Sequence, residues 1–301
     1  MNYFRRWSLF IEERFNPVAY TVMIFVFLSS HYVLYLNFFK QKATFHFHDI
    51  LYFTPLVLAV FIFFFKLRLF DEVKDFDLDR IHNPERPLPR GLLCKSDVLR
   101  VALIISILEI VLLAFYGLWA LVSMTIVIGY SLLMYKEFFI KKWLRSHLTT
   151  YAVTHTFIIV LISITIFIAL MSRSITVIPA NLIYFSFAGW FLFNIFEFGR
   201  KTFASEEEKK DIKTYSKSFG RLGATILVMT MSLLSILLIG RAMASVDSRF
   251  LFFWLCSIGL VGLIYVISDR PYIARLYRIA TSLYIILTYG TVTIMQLYAI
   301  R

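Results

Sequence analysis

Five carboxylates crowd into the nine residues Asp71-Glu72-Val73-Lys74-Asp75-Phe76-Asp77-Leu78-Asp79. Oxygen-only donors at that density suit a hard divalent cation. Magnesium in particular commonly takes one or two carboxylates and completes its shell with substrate phosphates and water. On a helix turning about 100° per residue, Asp71, Glu72, Asp75 and Asp79 fall within an arc of roughly 100°, while Asp77 points the other way. Like charges so spaced repel one another, and a bridging cation relieves the repulsion. A solvated acidic helix end, salt-bridged to Lys74 and Arg80, accounts for the same pattern. Next comes Asn83-Pro84-Glu85-Arg86-Pro87-Leu88-Pro89-Arg90-Gly91, whose three prolines remove donors and fix φ, so the helix ends here. Arg86 and Arg90 then lie near the carboxylates, where guanidinium groups can grip a diphosphate bidentately. Contact with lipid headgroups is the plainer use of the same side chains.

A second polar segment reads Asn194-Ile195-Phe196-Glu197-Phe198-Gly199-Arg200-Lys201-Thr202, followed by Glu206-Glu207-Glu208, Asp211, Lys213-Thr214 and Phe219-Gly220. If it is helical, Asn194, Glu197 and Lys201 share an arc of about 60°. Lys201 can bind diphosphate directly or pair with Glu197 four residues earlier. The acidic triplet reads as a solvated turn in preference to a loop capping a site. The two segments, with Glu85 and Asp97, hold twelve of the 19 acidic residues, and so mark where the chemistry sits.

The elements that must position them are membrane helices. The chain has 301 residues, 59% hydrophobic and 17% charged, with a mean hydropathy of +0.75. Soluble domains average about 45–50% apolar and about 25% charged, so an ordinary soluble globule is excluded. Apolar blocks of about 20 residues match helices crossing a hydrocarbon core, and shorter alternating strands of a barrel are not seen. Nine spans are expected, at about 16 to 38, 48 to 69, 98 to 116, 117 to 135, 148 to 170, 177 to 198, 222 to 243, 249 to 267 and 279 to 299. The fold class is therefore an all-α integral membrane bundle of nine transmembrane helices with a cytoplasmic polar cap. It forms a single domain over 1–301, with an amphipathic N-terminal segment at 1–15 and cytoplasmic loops at 70–97 and 199–221. No signal-peptide cleavage pattern precedes the first span, which is expected to stay in the mature protein.

Orientation follows from positive charge. With this layout 25 of the 31 Lys and Arg fall on one face, leaving Lys40, Lys42, Arg173, Arg241, Arg249 and Arg301 on the other. Cytoplasmic loops collect such charge, so the N-terminus is expected in the cytoplasm and the C-terminus outside, in the inner membrane if the source is bacterial. The net charge of +12 suits anionic headgroups or substrates; no aromatic and basic nucleic-acid module is present. Cys94 and Cys256 offer neither a disulfide framework nor zinc spacing. His46 and His48 read as interfacial. Glu109, inside the third span, is either neutral or paired to a neighbouring helix, and an ionisable residue there is a functional suspect.

The first segment resembles the leading aspartate motif of UbiA-type intramembrane prenyltransferases, written N-D-x-x-D-x-x-x-D and followed by P-x-R-P-L-P-x-G. Asp71 stands where Asn is usual and Glu72 where Asp is usual, and both keep oxygen donors. The family's nine helices, with acidic motifs after the second and sixth, match the layout over nearly the whole chain. The resemblance implies a UbiA-like fold and magnesium held by Asp71, Asp75 and Asp79. It also places Glu197 in the second motif, of D-x-x-x-D kind, as a further metal ligand, with Lys201 where a second acid is often found. Substrate binding falls to Asn16, Glu72, Arg86, Arg90, Tyr130, Lys136, Asn194 and Lys201. Of these, Tyr130 and Lys136 resemble the family's Tyr-containing, Lys-ending segment after helix four, and Asn16 belongs with Arg14 and Pro17 to a short polar motif before helix one. The implied reaction is transfer of an isoprenoid from an allylic diphosphate to a small, hydrophobic or aromatic acceptor within the lipid membrane. Within the family, a transferase joining polyprenyl phosphate to a sugar phosphate, or a terpene cyclase, remains open. A cation-coupled transporter is a reading from another class, disfavoured because its site would lie near the midplane in broken helices.

Overall fold

The computed structural model describes residues 1–40, 47–172, 177–210, 212–243 and 249–300. Lys42, His46, Arg173, Asp211 and Arg301, and the side chain of His48, lie outside the described residues. The described chain is helical throughout: α1 (Tyr3–Arg14), α2 (Pro17–Phe38), α3 (Phe47–Lys74), α4 (Phe76–His82), α5 (Lys95–Ala114), α6 (Leu118–Tyr135), α7 (Lys141–Ser146), α8 (Leu148–Thr156), α9 (Ile158–Met171), α10 (Ala180–Gly199), α11 (Tyr215–Ala242), α12 (Phe250–Ile267) and α13 (Pro271–Ile300). Among the described residues eight helical stretches are long and apolar enough to cross a membrane. In such a setting the backbone must bond within each helix, which is why the bundle contains helices and no open strand edges.

The helix ends depart from the expected bounds for local reasons. α3 runs to Lys74, past the expected stop at 69, carrying Lys66 and Arg68 inside the helix. α11 starts at Tyr215, seven residues before the expected span, because the Thr214 hydroxyl accepts from the Lys217 amide at 3.0 Å and caps it; the helix is interrupted at Gly220. The span expected at 148 to 170 is made of α8 and α9, which meet at Phe157.

Two compact units make up the chain. The first comprises Met1–Leu28, Thr44–Phe139 and Ile168–Ser174; the second comprises Ser29–Ala43, Ile140–Phe167 and Ile175–Arg301. In the first, Phe10 of α1, Leu69, Phe70 and Val73 of α3, Leu88, Leu92 and Leu93 of the proline-rich turn, and Val98, Ala102 and Ile105 of α5 form one buried cluster. The acidic segment is thus bracketed by apolar anchors on both sides. Lipid tails are as apolar as leucine, so helix pairing deeper in the bilayer rests on close packing and polar contacts. α3 and α5 supply such a contact, for Lys66 and Glu109, each with no exposed side-chain surface, form an ion pair. Lys66, counted above with the charges of one face, is therefore an intramembrane residue, and Glu109 takes the paired form.

In the second unit α10 lies against α11 and α13. At Gly199 the Thr281 side chain of α13 approaches so closely that a built Cβ would fall 2.1 Å from its Oγ1 and 2.4 Å from its Cβ. Only glycine permits this approach at the end of α10. Buried hydroxyls bond back to their own helices, Ser186 to the Leu182 carbonyl and Ser232 to that of Val228, both at 2.9 Å. The His31 ring nitrogen Nε2 lies 2.5 Å from the Ser163 hydroxyl, joining α2 to α9.

Candidate functional site

The first acidic segment begins in the last turn of α3, where Asp71 is half exposed and Lys74 Nζ lies 2.7 Å from its Oδ1. The expectation of one continuous helix through the motif is corrected here: α3 stops at Lys74, and Asp75, at φ −93° and ψ 0°, bends the chain into α4. Helical bonding nevertheless continues through the bend, from the Asp75 amide to the Asp71 carbonyl and from the Asp79 amide to the Asp75 carbonyl, each 2.9 Å. Asp71, Asp75 and Asp79 therefore still follow one another at intervals of about one turn. Asp79 is buried, and its Oδ1 accepts from Arg86 Nη1 at 2.5 Å and from Asn83 Nδ2 at 2.9 Å. The proline-rich turn closes with Leu92 N donating to the Pro87 carbonyl at 2.8 Å and with Gly91 at φ +77°, a conformation that favours glycine. Arg86 itself is brought back to Asp79 by the preceding stretch, in which the Asn83 amide donates to the Asp79 carbonyl at 2.8 Å and the Arg86 amide to the Asn83 carbonyl at 3.1 Å.

Glu72 faces elsewhere. It is 2% exposed and takes Arg14 Nη2 at 2.7 Å together with the Arg68 guanidinium, so that α1 is tied to the end of α3. Arg90 likewise grips the Glu13 carboxylate through both terminal nitrogens, at 3.0 and 2.6 Å, and the Glu85 carbonyl at 2.8 Å. Two of the expected substrate contacts thus hold the amphipathic helix in place. Asn16 is exposed and its Oδ1 accepts from the Ala19 amide at 3.1 Å, the bond of a helix N-cap. Tyr130, on α6, is partly buried with its ring edge-on to Phe138 at 5.4 Å. Lys136 is exposed just past the end of α6, with its ammonium 5.0 Å from the Tyr135 ring centre.

The second acidic segment lies in the other unit. Glu197 is 13% exposed, and receives Arg200 Nε at 2.5 Å and Lys201 Nζ at 2.7 Å. α10 ends at Gly199, yet Lys201 reaches back four residues to Glu197, so the pairing anticipated from spacing is present. Lys201 Nζ also stands 6.0 Å from the Tyr151 ring centre. Asn194 does not join them. It is fully buried, accepts from Thr156 Oγ1 at 2.9 Å and donates to the Trp190 carbonyl at 2.9 Å.

In the acidic triplet Glu206 is exposed, as a solvated turn requires, but its two neighbours are held by partners. Glu207 forms a bidentate pair with Arg278, at 3.0 and 2.7 Å, and Glu208 accepts from the hydroxyls of Thr214 and Ser216. Ser205 donates to Asp269 through its hydroxyl at 2.5 Å and its amide at 2.9 Å. The Glu207 carboxyl is held below its ordinary pKa chiefly by the hydrogen bonds from Arg278, and Asp269 chiefly by those from Ser205. Residues 203–208 are thus strapped to the start of α13 and the turn before it. Arg278 and Asp269 escaped sequence reasoning because long-range pairing leaves no local pattern, whereas Arg68 stands four residues before Glu72, a spacing at which helical ion pairs form.

Among the described residues no three His, Cys, Asp or Glu side chains converge as a ready metal cage. The donor set of the first segment still fits magnesium, which needs only one or two protein carboxylates when phosphates and water fill the remaining positions.

The sequence matches the model of the UbiA prenyltransferase family over residues 39–281. Among curated protein sequences none matches. Three solved structures share the fold at low identity. One, of digeranylgeranylglyceryl phosphate synthase, has a TM-score of 0.66 at 14% identity, over 98% of this chain and 99% of that one. A UbiA homologue from Aeropyrum pernix K1 in its apo form gives 0.60 at 15%, over 92% and 96%. A UbiA homologue from Archaeoglobus fulgidus, bound to DMAPP and Mg2+, gives 0.51 at 16%, over 92% and 97%.

Proposed function

The chain belongs to the UbiA prenyltransferase family, multi-pass integral membrane enzymes that transfer isoprenoid groups, and from that premise we propose that it moves an isoprenoid from an allylic diphosphate to a small hydrophobic or aromatic acceptor, with magnesium as cofactor. One observation carries the reading. A buried carboxylate, Asp79, and a guanidinium, Arg86, are brought together by the turn at Asn83, one suited to a metal ion and the other to a phosphate.

Asp71, Asp75 and Asp79 would hold the ion, which when bound neutralises the diphosphate of the leaving group. Arg86 adds fixed positive charge beside that position, and Lys136 supplies a second exposed cation after α6. Charge placed in advance where the leaving group gains it is worth far more in a water-poor site than in solution. Glu197, with Arg200 and Lys201 on its two oxygens, is the second motif's contribution, and Lys201 serves diphosphate binding there. Tyr130 is assigned to the substrate side of α6. Asn16, Glu72, Arg90 and Asn194 act through the positions they hold: a helix cap, two ties to α1 and a buried link between α8 and α10. We place the N-terminus in the cytoplasm and α5 as a ninth span.

The test is to incubate the purified protein with magnesium and a panel of labelled allylic diphosphates, with and without membrane-lipid extract. Magnesium-dependent release of diphosphate with a new labelled lipid is expected. A labelled hydrocarbon would indicate a cyclase. No release from folded protein would move the assignment to a polyprenyl-phosphate sugar transferase, or, if cation uptake appears in sealed vesicles, to a transporter.

A further inference from the structure

In the second unit α10 and α12 each pack against both α11 and α13, so that α11 and α13 face one another across the middle of these four helices. Four hydroxyls meet there, Ser232 and Ser235 from α11 and Tyr284 and Thr288 from α13, none of these residues more than 2% exposed. All lie well inside helices long and apolar enough to cross a membrane. A polar group without a hydrogen bond is costly in such a place.

The four differ in where their hydrogens go. Ser232 donates to the Val228 carbonyl at 2.9 Å and Ser235 to the Ser232 carbonyl at 2.8 Å, so each hydrogen is committed to its own helix and each oxygen is left as an acceptor. Other threonines of α13 behave in the same way, Thr281 donating to the Arg278 carbonyl at 2.9 Å and Thr293 to that of Tyr289 at 2.8 Å. Thr288 does not. Its Oγ1 is buried without a hydrogen-bond partner among the described residues. The same holds for the phenol oxygen of Tyr284, which stands close to Ser232, Ser235 and Thr288 but in hydrogen-bond geometry with none of them. Two hydrogens without an acceptor are thus grouped with two oxygens whose lone pairs remain to be filled. A water molecule matches that set bond for bond, accepting two hydrogen bonds and donating two. Buried waters in proteins typically make about three bonds, to polar groups left otherwise unsatisfied.

We propose that the centre of these four helices binds one buried water molecule, which accepts from Tyr284 and Thr288 and donates to Ser232 and Ser235. It ties α11 to α13, the helix that brings Arg278 to Glu207 and Thr281 to Gly199. Thr288 lies about two turns further along α13 than Thr281, so the site is separate from the second acidic segment and uses none of the residues assigned to the transfer reaction.

One test is direct. A crystal structure of the full chain, at a resolution that shows ordered water, is expected to contain a single peak at hydrogen-bond distance, about 2.5–3.0 Å, from all four oxygens. Hydroxyls bonded directly to one another, with no water between them, overturn the proposal. A second test reads the sign of a stability change. Tyr284→Phe and Thr288→Val each delete one hydroxyl with little change of shape, and each should lower the melting midpoint of the full chain in nanodiscs, because the water loses a partner. Without the water, these substitutions would relieve an unsatisfied buried hydroxyl and leave the midpoint unchanged or raise it. That result in either variant overturns the proposal as well. Neither readout involves prenyl transfer, so failure of the prenyltransferase reading would leave both intact.

Discussion

Arg86 lies 2.5 Å from Asp79, seven residues back along the chain, with Pro84 in the turn between them. The carboxylate is buried while the guanidinium is about one-third exposed, so the pair presents its cation outward and keeps its anion in place. A guanidinium held in this way loses little further freedom when it meets a diphosphate, and its planar fork suits that group better than an ammonium would.

Asp79→Asn and Asp75→Asn should leave the protein folded in detergent while product formation falls at least 10²-fold, the scale of losing one transition-state contact. Labelled-product assay beside thermal melting checks this. Full activity in a folded Asp75→Asn protein would sink the catalytic assignment.

Arg86→Lys keeps the charge but not the bidentate fork. Weaker binding of the diphosphate, seen as a raised KM with melting close to that of the unmodified protein, is the expected outcome. A change in melting with KM unaltered would mean that Arg86 serves only to hold Asp79.

Removing one member of the Lys66 and Glu109 pair strands the other inside the helix packing. Glu109→Leu is expected to destabilise by roughly 3–5 kcal/mol, and Lys66→Met/Glu109→Leu to recover most of that loss, because the desolvation cost disappears with both charges. Detergent denaturation of the two variants separates these outcomes.

Gly199→Ala places a methyl group onto Thr281. Overpacking of this kind costs about 1–3 kcal/mol, and the end of α10 must shift, carrying Glu197 and Lys201 with it. Pairing it with Thr281→Ser, which deletes the Thr281 Cγ2, should return part of the stability; no recovery would place the strain in the backbone.

The strap over residues 203–208 depends on carboxylates whose pKa values are lowered by Arg278 and Ser205. A lowered carboxylate stabilises the fold above its unfolded pKa of about 4, and that contribution fades as pH falls through the lower folded value. Hydrogen exchange at 203–208 is therefore expected to stay slow from neutral pH to about 5 and to quicken below about 4, after correction for intrinsic rates. Glu207→Gln should remove most of this pH dependence.

Much of the fold was legible before any coordinates because bilayer thickness dictates the length of an apolar block. The first acidic segment was legible too, since Asp71, Asp75 and Asp79 recur with the helical turn and the prolines mark its end. The partners were not. Glu72 looks like one more carboxylate of the motif, but Arg14, 58 positions away on α1, joins Arg68 in engaging it. Asn194 shares an arc with Glu197 in sequence, yet Thr156 and Trp190 draw its amide inward. Arc arithmetic gives direction about a helix axis and says nothing of what stands opposite.

The Lys66 and Glu109 pair also bears on how the chain is made. A lone charge at the centre of a helix raises the cost of membrane insertion by about 2.5–3.5 kcal/mol. Synthesis from the N-terminus delivers α3 and its lysine first. α5, which bears Asp97, Arg100 and Glu109 and is absent from the eight strongly apolar stretches, then meets a cation already waiting in the bilayer. A nascent chain halted after α4 would hold Lys66 without its counter-ion, so biogenesis of this bundle is coupled across helices rather than decided one helix at a time.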